Sequence, residues 1–327
     1  MTRTVLARTV TDDEAPVVVV GAHMQSLTLR VEAIPRAGET TLAHDYAEPL
    51  DGGKATNQAV AGSRLNAPVR FVSLVGTDDR GRRLLGYLAE TGVDTRWVRV
   101  EDGATDVGFV MLAPDGIPAI TSCQDLSLRI DGEAVAAASG AFAGASVVVC
   151  QLEAPIDCAT TAFSLARRVG ARTILNPAPA LPMPPELLAL CDVLVPNEHE
   201  AAAILGHTAA QPALASLLAA RMPWADVIVT AGSAGAYIAT ADGRRGHVAA
   251  PGVKVVDTTG AGDAFVGALA ARLRLGDDLM NAAHWAVAAA SVSVTRPGTI
   301  PAYASIDEVD AAMKTIAGGA EPPAWKG

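Results

Sequence analysis

The chain of 327 residues has few cysteines and no cluster of basic residues. Its four cysteines, at positions 123, 150, 158 and 191, show no C-x-x-C spacing, which is typical of a large protein of the reducing cytoplasm. The formal net charge is −10. Because phosphate-rich partners are bound by clustered Lys and Arg, this charge argues against nucleic acid or an anionic membrane as the main partner.

A long hydrophobic run is also lacking. The first residues contain no continuous apolar segment, so they do not indicate a signal peptide. The most apolar later stretch, residues 285–294, is too short to cross a bilayer and contains hydroxyl groups. We therefore expect a soluble, cytoplasmic protein with no membrane partner. Half of its residues are apolar, which is enough for a large buried core.

Short apolar runs rich in β-branched residues alternate along the chain with segments of helical spacing. The predicted strands are residues 17–20, 70–76, 146–150, 172–176, 192–197 and 226–232. The predicted helices lie within 52–65, 80–92, 157–170, 198–206 and 305–317. This alternation predicts an α/β fold with a doubly wound, mostly parallel sheet flanked by helices.

Two segments interrupt this alternation, residues 24–50 and 107–121. Both alternate polar and apolar residues around Pro-Gly or Gly turns, which predicts antiparallel strands that together form a small β-sheet lid. We expect one domain over residues 15–315, with residues 1–14 and 316–327 as loose termini. The edge of such a lid could pair with a second copy of the chain.

The stretch "DTTGAGDAF", residues 257–265, joins a predicted strand at 253–257 to a predicted helix at 264–275. Gly260 and Gly262 let the backbone close around an anion where the helix begins. Asp263 lies at or near the N-cap, where it either caps the helix, for about 1 kcal/mol, or takes a proton from an alcohol beside the anion hole. Neither G-x-G-x-x-G nor the Walker pattern occurs at this turn, so another mode of phosphate binding is indicated.

Further motifs accompany this one in a fixed order between residues 17 and 301. They are "GGKATNQAVA", "VGTDDRG", "NPAPA", "PNEHEA" and "VTAGSAG". Together with "DTTGAGDAF" they resemble the motifs of the ribokinase-like pfkB family of carbohydrate kinases. The resemblance covers nearly the whole chain, and the co-linear set is far more specific than any one member.

The resemblance implies a kinase that phosphorylates a primary hydroxyl of a sugar or sugar-like compound with ATP, Mg²⁺ and K⁺. Asp263 would be the general base, beside an anion hole formed by Gly260, Ala261 and Gly262. The implied sugar-binding residues, besides Asp263, are Gly53, Lys54, Asn57 and Glu153. The implied nucleotide-binding residues, besides Gly262, are Asn197, Thr230, Gly232, Ser233 and Gly235. Glu200 would hold Mg²⁺ through water, and the residues around the monovalent cation would be Asp257, Thr259, Ser293, Arg296 and Gly298. The family also implies a homodimer formed through the lid.

The chain departs from the family pattern after the first predicted strand. Met24 and Ser26 stand where ribokinases have Asn and Asp, and neither side chain can replace those contacts to sugar hydroxyls. His23 and Asp51 are polar groups that could serve instead, and Ala302 replaces a serine at the edge of the cation ring. D-ribose itself is therefore not predicted as the substrate.

Two other functions fit the sequence. The first is a nucleoside kinase of the same family, with Met24 packing on the base. The second is a non-catalytic protein that senses a sugar or a nucleotide. Asp263 and the intact glycine turn argue against a sensor, because a sensor needs no general base. A phosphofructokinase-type activity is not favoured, because the lid has no obvious additional basic pair for a substrate phosphate.

Overall fold

The computed structural model of the chain describes residues 9–49, 52–114, 118–123 and 128–317. They form a nine-stranded sheet and a separate four-stranded sheet. The larger sheet contains β1 (Val17–Val20), β4 (Val69–Gly76), β5 (Val98–Glu101), β8 (Val147–Gln151), β9 (Arg172–Asn176), β10 (Val193–Leu194), β11 (Asp226–Thr230), β12 (Ala236–Ala239) and β13 (Arg245–Val248). The smaller sheet contains β2 (Gln25–Val31), β3 (Ala43–Ala47), β6 (Val107–Leu112) and β7 (Pro118–Cys123). The α-helices are α1 (Lys54–Arg64), α2 (Asp79–Glu90), α3 (Gly132–Ala137), α4 (Ile156–Val169), α5 (Pro185–Leu188), α6 (Glu198–Leu205), α7 (Gln211–Arg221), α8 (Ala261–Leu273), α9 (Leu279–Ser293) and α10 (Ile306–Ala317).

The strand order of the larger sheet is β13-β12-β11-β10-β9-β8-β1-β4-β5. The strands from β11 to β5 are parallel, and only β12 and β13 are antiparallel to their neighbours. The order changes direction at β1, with β4 and β5 on one side and β8 to β11 on the other. In doubly wound sheets a crevice for ligands opens at such a point, beyond the carboxyl ends of the strands.

The four residues of β1 are all valines, and all are buried. Val17 and Val19 belong to one apolar cluster with residues of α1, α8 and α9, whereas Val18 and Val20 belong to a second cluster with residues of α4 and α7. Because alternate side chains of a strand point to opposite faces, the sheet is covered by helices on both sides. The predicted doubly wound α/β fold is confirmed.

The smaller sheet is the predicted lid, and its strand order is β3-β2-β6-β7. Within each of its two hairpins, β2–β3 and β6–β7, the strands are antiparallel as predicted. The prediction is wrong for the central pair, because β2 and β6 are parallel. Strand β2 follows β1 and strand β6 follows β5 along the chain, and β1 and β5 are parallel members of the core. Both hairpins therefore leave the same edge of the core, and their first strands run in the same direction.

The strand predicted at residues 253–257 does not form. Val255 and Val256 are 57% and 55% exposed, and the segment has no regular structure. The N–H groups of Val256 and Asp257 donate to the carbonyl oxygen of Val294, just after α9. The β-branched composition favours a strand, but this segment binds the end of a helix instead of a sheet edge.

Strand β10 is shorter than the predicted 192–197. Pro196 has no N–H group with which to continue the ladder, although its carbonyl oxygen still accepts from Thr230. The antiparallel strands β12 and β13, and helix α9, were not predicted at all. The apolar stretch 285–294 lies mostly within α9, but the sequence indicated only that this stretch is too short to cross a membrane.

Within residues 9–14, predicted to be loose, Val10 packs on the core instead. Val10 is buried, and its N–H group donates to Asp94 Oδ2 at 3.2 Å, while its carbonyl oxygen accepts from Arg70 at 3.0 Å. At the other end, α10 extends through Ala317. No helix within the described ranges is long and apolar enough to cross a membrane.

Candidate active site

The glycine turn begins helix α8. Gly260 is the N-cap residue and has a left-handed backbone, with φ 74°, and a Cβ atom there would lie 2.7 Å from the Tyr303 hydroxyl oxygen. Asp263 is the third helical residue and so lies near the N-cap, as predicted. The N-cap residue itself is Gly260 and makes no side-chain cap, which does not favour the alternative that Asp263 serves only to cap the helix. The first turn of a helix leaves backbone N–H groups without intrahelical partners, which is the feature on which the predicted anion hole depends.

The Asp263 carboxylate is buried, with only 6% of the residue exposed, and it is held by two amides from α1. Asn57 Nδ2 donates to Oδ2 and Gln58 Nε2 donates to Oδ1, each at 2.9 Å. Asn57 was among the predicted sugar-binding residues, whereas Gln58 was missed. A glutamine in a helix has no special pattern, so only its position next to Asn57 in "TNQ" could have drawn attention to it.

Lys54 lies among three carboxylates at the start of α1. Burial alone would lower the pKa of its ammonium group, but Asp263, Glu153 and Glu200 raise that pKa above its ordinary value. Burial raises the pKa of Glu153 against the opposing charge of Lys54, and burial also raises the pKa of Glu200. The Lys54 N–H group donates to Glu153 Oε2 at 2.6 Å, which ties the helix start to the chain after β8. The structure thus brings together four residues that the sequence predicted for one site.

Two cavities meet at this cluster. The larger has a volume of about 420 Å³ and lies under the lid, and the smaller has about 170 Å³ and extends toward the ends of β9, β10 and β11. Lys54, Gly260 and Asp263 line both cavities. Groups bound in the two cavities can therefore reach the Asp263 carboxylate from two different sides.

The smaller cavity contains part of the predicted nucleotide site. Asn197, Glu200 and Thr230 line it. Asn197 and Glu200 form a capping box at the start of α6, in which the Glu200 N–H group donates to Asn197 Oδ1 and the Asn197 N–H group to Glu200 Oε2, both at 2.8 Å. Among the described residues, no group of three or more His, Cys, Asp or Glu side chains could hold a metal ion by itself.

The predicted nucleotide loop follows β11 directly but does not line either cavity. Gly232, Ser233 and Ala234 form one 3₁₀ turn, and Gly235 follows with φ 89°. A Cβ atom at Gly235 would lie 1.9 Å from the carbonyl oxygen of Val248. This glycine is therefore required by the close approach of β13, whether or not a nucleotide binds there.

The predicted cation-binding segments lie next to each other. Asp257 Oδ1 accepts from the Thr259 N–H group and Oδ2 from the Gly298 N–H group, each at 2.9 Å. Although burial acts in the other direction, these hydrogen bonds hold the pKa of Asp257 below its usual value. Ser293 is buried and donates to a carbonyl oxygen within α9, and the Arg296 guanidinium pairs with Glu308. These side chains are engaged with the protein, so a cation would depend on backbone carbonyl oxygens.

Residues on one face of β2 line the larger cavity beneath the lid. They are Ser26, Thr28 and Arg30, with Met24 just before the strand. The Met24 side chain lies against Gly108 of β6, where an added Cβ atom would be 3.5 Å from the sulfur. His23, suggested as a substitute sugar contact, does not line this cavity: it is 3% exposed and its Nδ1 lies 3.0 Å from Thr56 Oγ1. Asp51, the other suggestion, lies outside the described residues.

The chain is similar to known proteins and structures over most of its length. Residues 14–305 match the model of the pfkB family carbohydrate kinases. Ribokinase of Schizosaccharomyces pombe is 33% identical over 306 residues, which cover 90% of this chain and 96% of that protein. Deoxyribokinase of Salmonella typhimurium is 31% identical over 299 residues, with 89% and 96% coverage. The structure of Arabidopsis thaliana ribokinase complexed with ribose and ATP is 29% identical, superposes with a TM-score of 0.79, and the match covers 92% of this chain and 99% of that one.

Proposed function

The chain belongs to the pfkB family of carbohydrate kinases and is a sugar kinase, and from this premise we propose that residues 15–315 form one catalytic domain that transfers the γ-phosphate of ATP to a primary hydroxyl of a sugar. One observation carries the proposal. The buried Asp263 carboxylate lies where the two cavities meet, at the first turn of α8, with both oxygens oriented by amide donors.

In the proposed reaction the sugar occupies the larger cavity and the triphosphate enters the smaller one. Asp263 accepts the proton of the hydroxyl group, and the sugar oxygen forms a bond to the γ-phosphorus. The bond between that phosphorus and the β,γ-bridging oxygen breaks, and ADP leaves with the electron pair. Phosphoryl transfer depends mainly on positioning and charge stabilisation, so one base and one anion hole suffice for the protein's part.

Charge stabilisation is assigned to the first turn of α8 and to Lys54. Gly260 and Gly262 line the smaller cavity, so their backbone N–H groups are available to a phosphate there, and the helix dipole adds to their effect. The Ala261 N–H group donates to the Thr258 carbonyl oxygen at 3.2 Å, so it would have to change partner to join this anion hole. Lys54 lines both cavities, and its raised pKa keeps it cationic. The charges of Asp263, Glu153 and Glu200 attract this cation before substrate binds.

The proposal includes two cations, Mg²⁺ and K⁺. Mg²⁺ binds few protein ligands and keeps its waters and substrate phosphates, so the one carboxylate of Glu200 in the smaller cavity, beside Asn197, fits it. When bound, Mg²⁺ neutralises the charge of the phosphates. K⁺ would be held near the turn of Asp257 and Gly298, through carbonyl oxygens. Its effect would be to fix the segment that leads into the anion hole.

The test is ATP consumption by the purified protein with Mg²⁺ and K⁺ across pentoses, hexoses, deoxy sugars, polyols and nucleosides. We expect one class to be phosphorylated, and we expect Asp263→Asn to lower kcat about 1,000-fold, within the range of general-base catalysis. Asp192→Asn is the matched control, because that carboxylate also accepts from a backbone N–H group, that of Thr173, but lines neither cavity. Equal losses in both variants, or full activity of Asp263→Asn, would reject the role of Asp263.

A nucleoside or another sugar with a large substituent is a second candidate acceptor. The lid presents three rows of side chains to the larger cavity, because β3, β2 and β6 are in register. The rows are Ser26 with Gly108, then Ala47, Thr28 and Val110, then Asp45, Arg30 and Leu112. With a rise of about 3.3 Å per residue, the outermost row lies about 13 Å beyond the first, which is longer than one sugar ring.

The chemistry of the rows supports such a substituent. The middle row is mostly apolar and the outermost row has an ion pair, Arg30 Nε and Asp45 Oδ2, separated by 3.5 Å. A planar heterocycle would pack on the middle row and present its polar edge to this donor and acceptor. Under this proposal Arg30→Ala raises KM for a nucleoside about tenfold and raises KM for the free pentose little. Equal KM changes for both acceptors would exclude a substituent site in the outermost row.

The proposal also includes a homodimer through the lid and a cytoplasmic location. Tyr46 and Phe109 lie on the face of the lid opposite the cavity, and they are 53% and 41% exposed. A second copy packed on this face would bury both rings. Sedimentation of the wild-type chain should give the mass of a dimer, and Phe109→Ser should shift it to a monomer. The cysteines accord with a reducing compartment, because Cys150, Cys158 and Cys191 are buried free thiols.

A further inference from the structure

We propose that Gln58 is a positioning residue that keeps the Asp263 carboxylate charged and correctly oriented for proton transfer. The inference rests on the proposed function only through the role of Asp263 as the base. Gln58 is 1% exposed, lies in the first turns of α1, and does not line either cavity. It therefore acts on the reaction through Asp263 and not through contact with a substrate.

The orientation of the Gln58 amide is dictated by a backbone group. The Val195 carbonyl oxygen can only accept, so Asn176 must turn its Nδ2 toward it, at 2.9 Å, and its Oδ1 toward Gln58. Gln58 Nε2 then donates to Asn176 Oδ1 at 3.1 Å and to Asp263 Oδ1 at 2.9 Å. Its Oε1 accepts from Gln151 Nε2 at 2.5 Å. Each hydrogen of the Gln58 NH₂ group thus has one acceptor, and its oxygen has a donor.

A second backbone group fixes the other amide in the opposite sense. The Gly52 N–H group can only donate, and it donates to Asn57 Oδ1 at 3.3 Å. Asn57 Nδ2 is thereby turned to Asp263 Oδ2. Each carboxylate oxygen receives one fixed N–H donor and keeps a further lone pair for the proton of the acceptor hydroxyl.

Close packing of two helices brings the donors to the carboxylate. Gly267 of α8 comes one turn after Asp263, and Gly62 of α1 comes one turn after Gln58. A Cβ atom at Gly267 would lie 2.6 Å from Ala61 Cβ, 2.7 Å from the Gln58 carbonyl oxygen and 2.8 Å from the Gly62 nitrogen. The helices therefore approach backbone to backbone, and any larger residue at this crossing would separate Gln58 from Asp263.

Asp263 needs the Gln58 donor because its carboxylate is buried. A buried carboxylate loses hydration, which favours its neutral form, and donors to the charged form counteract this. The charged groups that face Asp263 are Lys54 of α1, Glu153 after β8 and Glu200 of α6. Two of these groups are carboxylates with the same charge as Asp263, and Lys54 is a cation. The amide groups of Asn57 and Gln58 add two hydrogen bonds to the carboxylate without adding any charge.

The test compares Gln58→Met with Gln151→Met. Both residues are buried, both changes are of similar shape, and both remove the hydrogen bond that joins the two glutamines. Only Gln58→Met removes the donor to Asp263. We expect it to lower kcat about 10- to 100-fold, the usual effect of losing a hydrogen bond to a charged group, with little change in KM for ATP. We expect Gln151→Met to lower kcat less than about fivefold, because Asn176 still orients Gln58.

The pH profile of kcat/KM separates positioning from general damage. Without the Gln58 donor the charged carboxylate is less favoured, so the acidic limb of the profile should move to higher pH and activity should recover at alkaline pH. A loss of equal size at every pH, or equal losses in the two variants, would overturn the proposal.

Two further results keep the outcome interpretable. If Gln58→Met does not fold, the double change Gln58→Met with Gln151→Met leaves fewer unpaired buried groups, and the same shift of the acidic limb is expected from it. If Asp263→Asn is inactive but Gln58→Met keeps full activity and an unshifted profile, this inference fails while the proposed function stands.

Discussion

The floor of the candidate site and the lid above it are built in opposite ways. On the floor, Asp263, Asn57 and Gln58 are each less than 10% exposed and hydrogen-bonded to fixed partners. In the lid, the Arg30 and Asp45 side chains are 54% and 59% exposed, and their ion pair is long, at 3.5 Å. The floor is held by backbone groups on several core elements, whereas the lid contacts solvent on much of its surface.

This difference separates the chemistry of the reaction from the choice of substrate. Asp263, Lys54 and Asn57, which match the family motifs, lie on the floor, and two of the three departures, Met24 and Ser26, lie at the beginning of the lid. A rigid, fully paired floor tolerates little change because each substitution leaves a buried polar group without a partner. The lid can change its side chains with small effects on stability, so it is where substrate preference can vary.

The largest effect is expected at the helix crossing under the floor. Gly267→Ala places a methyl group 2.6 to 2.8 Å from three atoms of α1, two of them backbone. We expect a loss of about 3 kcal/mol in the free energy of unfolding, the upper range for overpacking, and a fall in kcat of at least about 100-fold. Urea denaturation and steady-state kinetics measure the two effects. Gly86→Ala on α2, where an added Cβ atom has open space around it, is the control and should be neutral or stabilising.

A somewhat smaller effect is expected from the cation of the floor. Lys54→Met removes the positive charge that faces Asp263, Glu153 and Glu200. We expect kcat to fall about 100-fold, as for the loss of one group that stabilises the transition state. The fold should persist, which circular dichroism can verify. Retention of more than half the wild-type kcat would show that the α8 turn stabilises the phosphoryl group unaided.

His23, at the junction of the floor and the lid, should make stability depend on pH. Burial lowers the pKa of its imidazole to about 3, against the opposing effects of a Gly52 hydrogen bond and the Asp78 charge. The unfolded chain binds a proton below pH 6.5 and the folded chain does not, so stability is lost as pH falls from 6.5 toward 3. Between pH 7 and pH 5 the loss should be about 2 kcal/mol larger for the wild type than for His23→Asn. Parallel denaturation curves for both proteins at the two pH values test this expectation.

The smallest effect is expected from the lid's ion pair. Asp45→Ala or Arg30→Ala should change the free energy of unfolding by less than about 1 kcal/mol, because exposed pairs contribute little. Both changes should instead appear in the KM values of acceptors that reach the outermost row. A stability loss above 2 kcal/mol in either variant would contradict the contrast between lid and floor.

Sequence patterns were sufficient for the core sheet because its strands are buried on both faces. Continuous runs such as 17–20 and 172–176 are unambiguous, and their strand limits agree with the structure. Residues 253–257 have a similar composition, yet no strand forms there. The prediction failed because nothing in the local sequence shows whether a sheet edge is within reach. The parallel pairing of β2 with β6 was equally inaccessible, since it depends on where two distant hairpins leave the core.

The candidate site could be predicted where the family motifs mark it. The motifs single out Asp263, Lys54 and Asn57, and the structure brings these three residues together. Their proposed roles remain predictions. Gln58 could not be identified, because its importance depends on Asn176 and Val195, which are more than 100 residues away. A chain of hydrogen bonds between distant segments leaves no periodic signal in a sequence.

The distance along the chain between the two halves of the floor has a consequence for synthesis. Asn57 and Asp263 are separated by 206 residues, and α8 follows every strand of the larger sheet. A nascent chain could assemble most of that sheet while the amides of α1 still face water without their carboxylate. The chain would therefore become catalytically active only late in its synthesis, when α8 docks on α1. An incomplete chain that stops before α8 should be inactive however well its sheet has formed, so activity can report on completion of the protein.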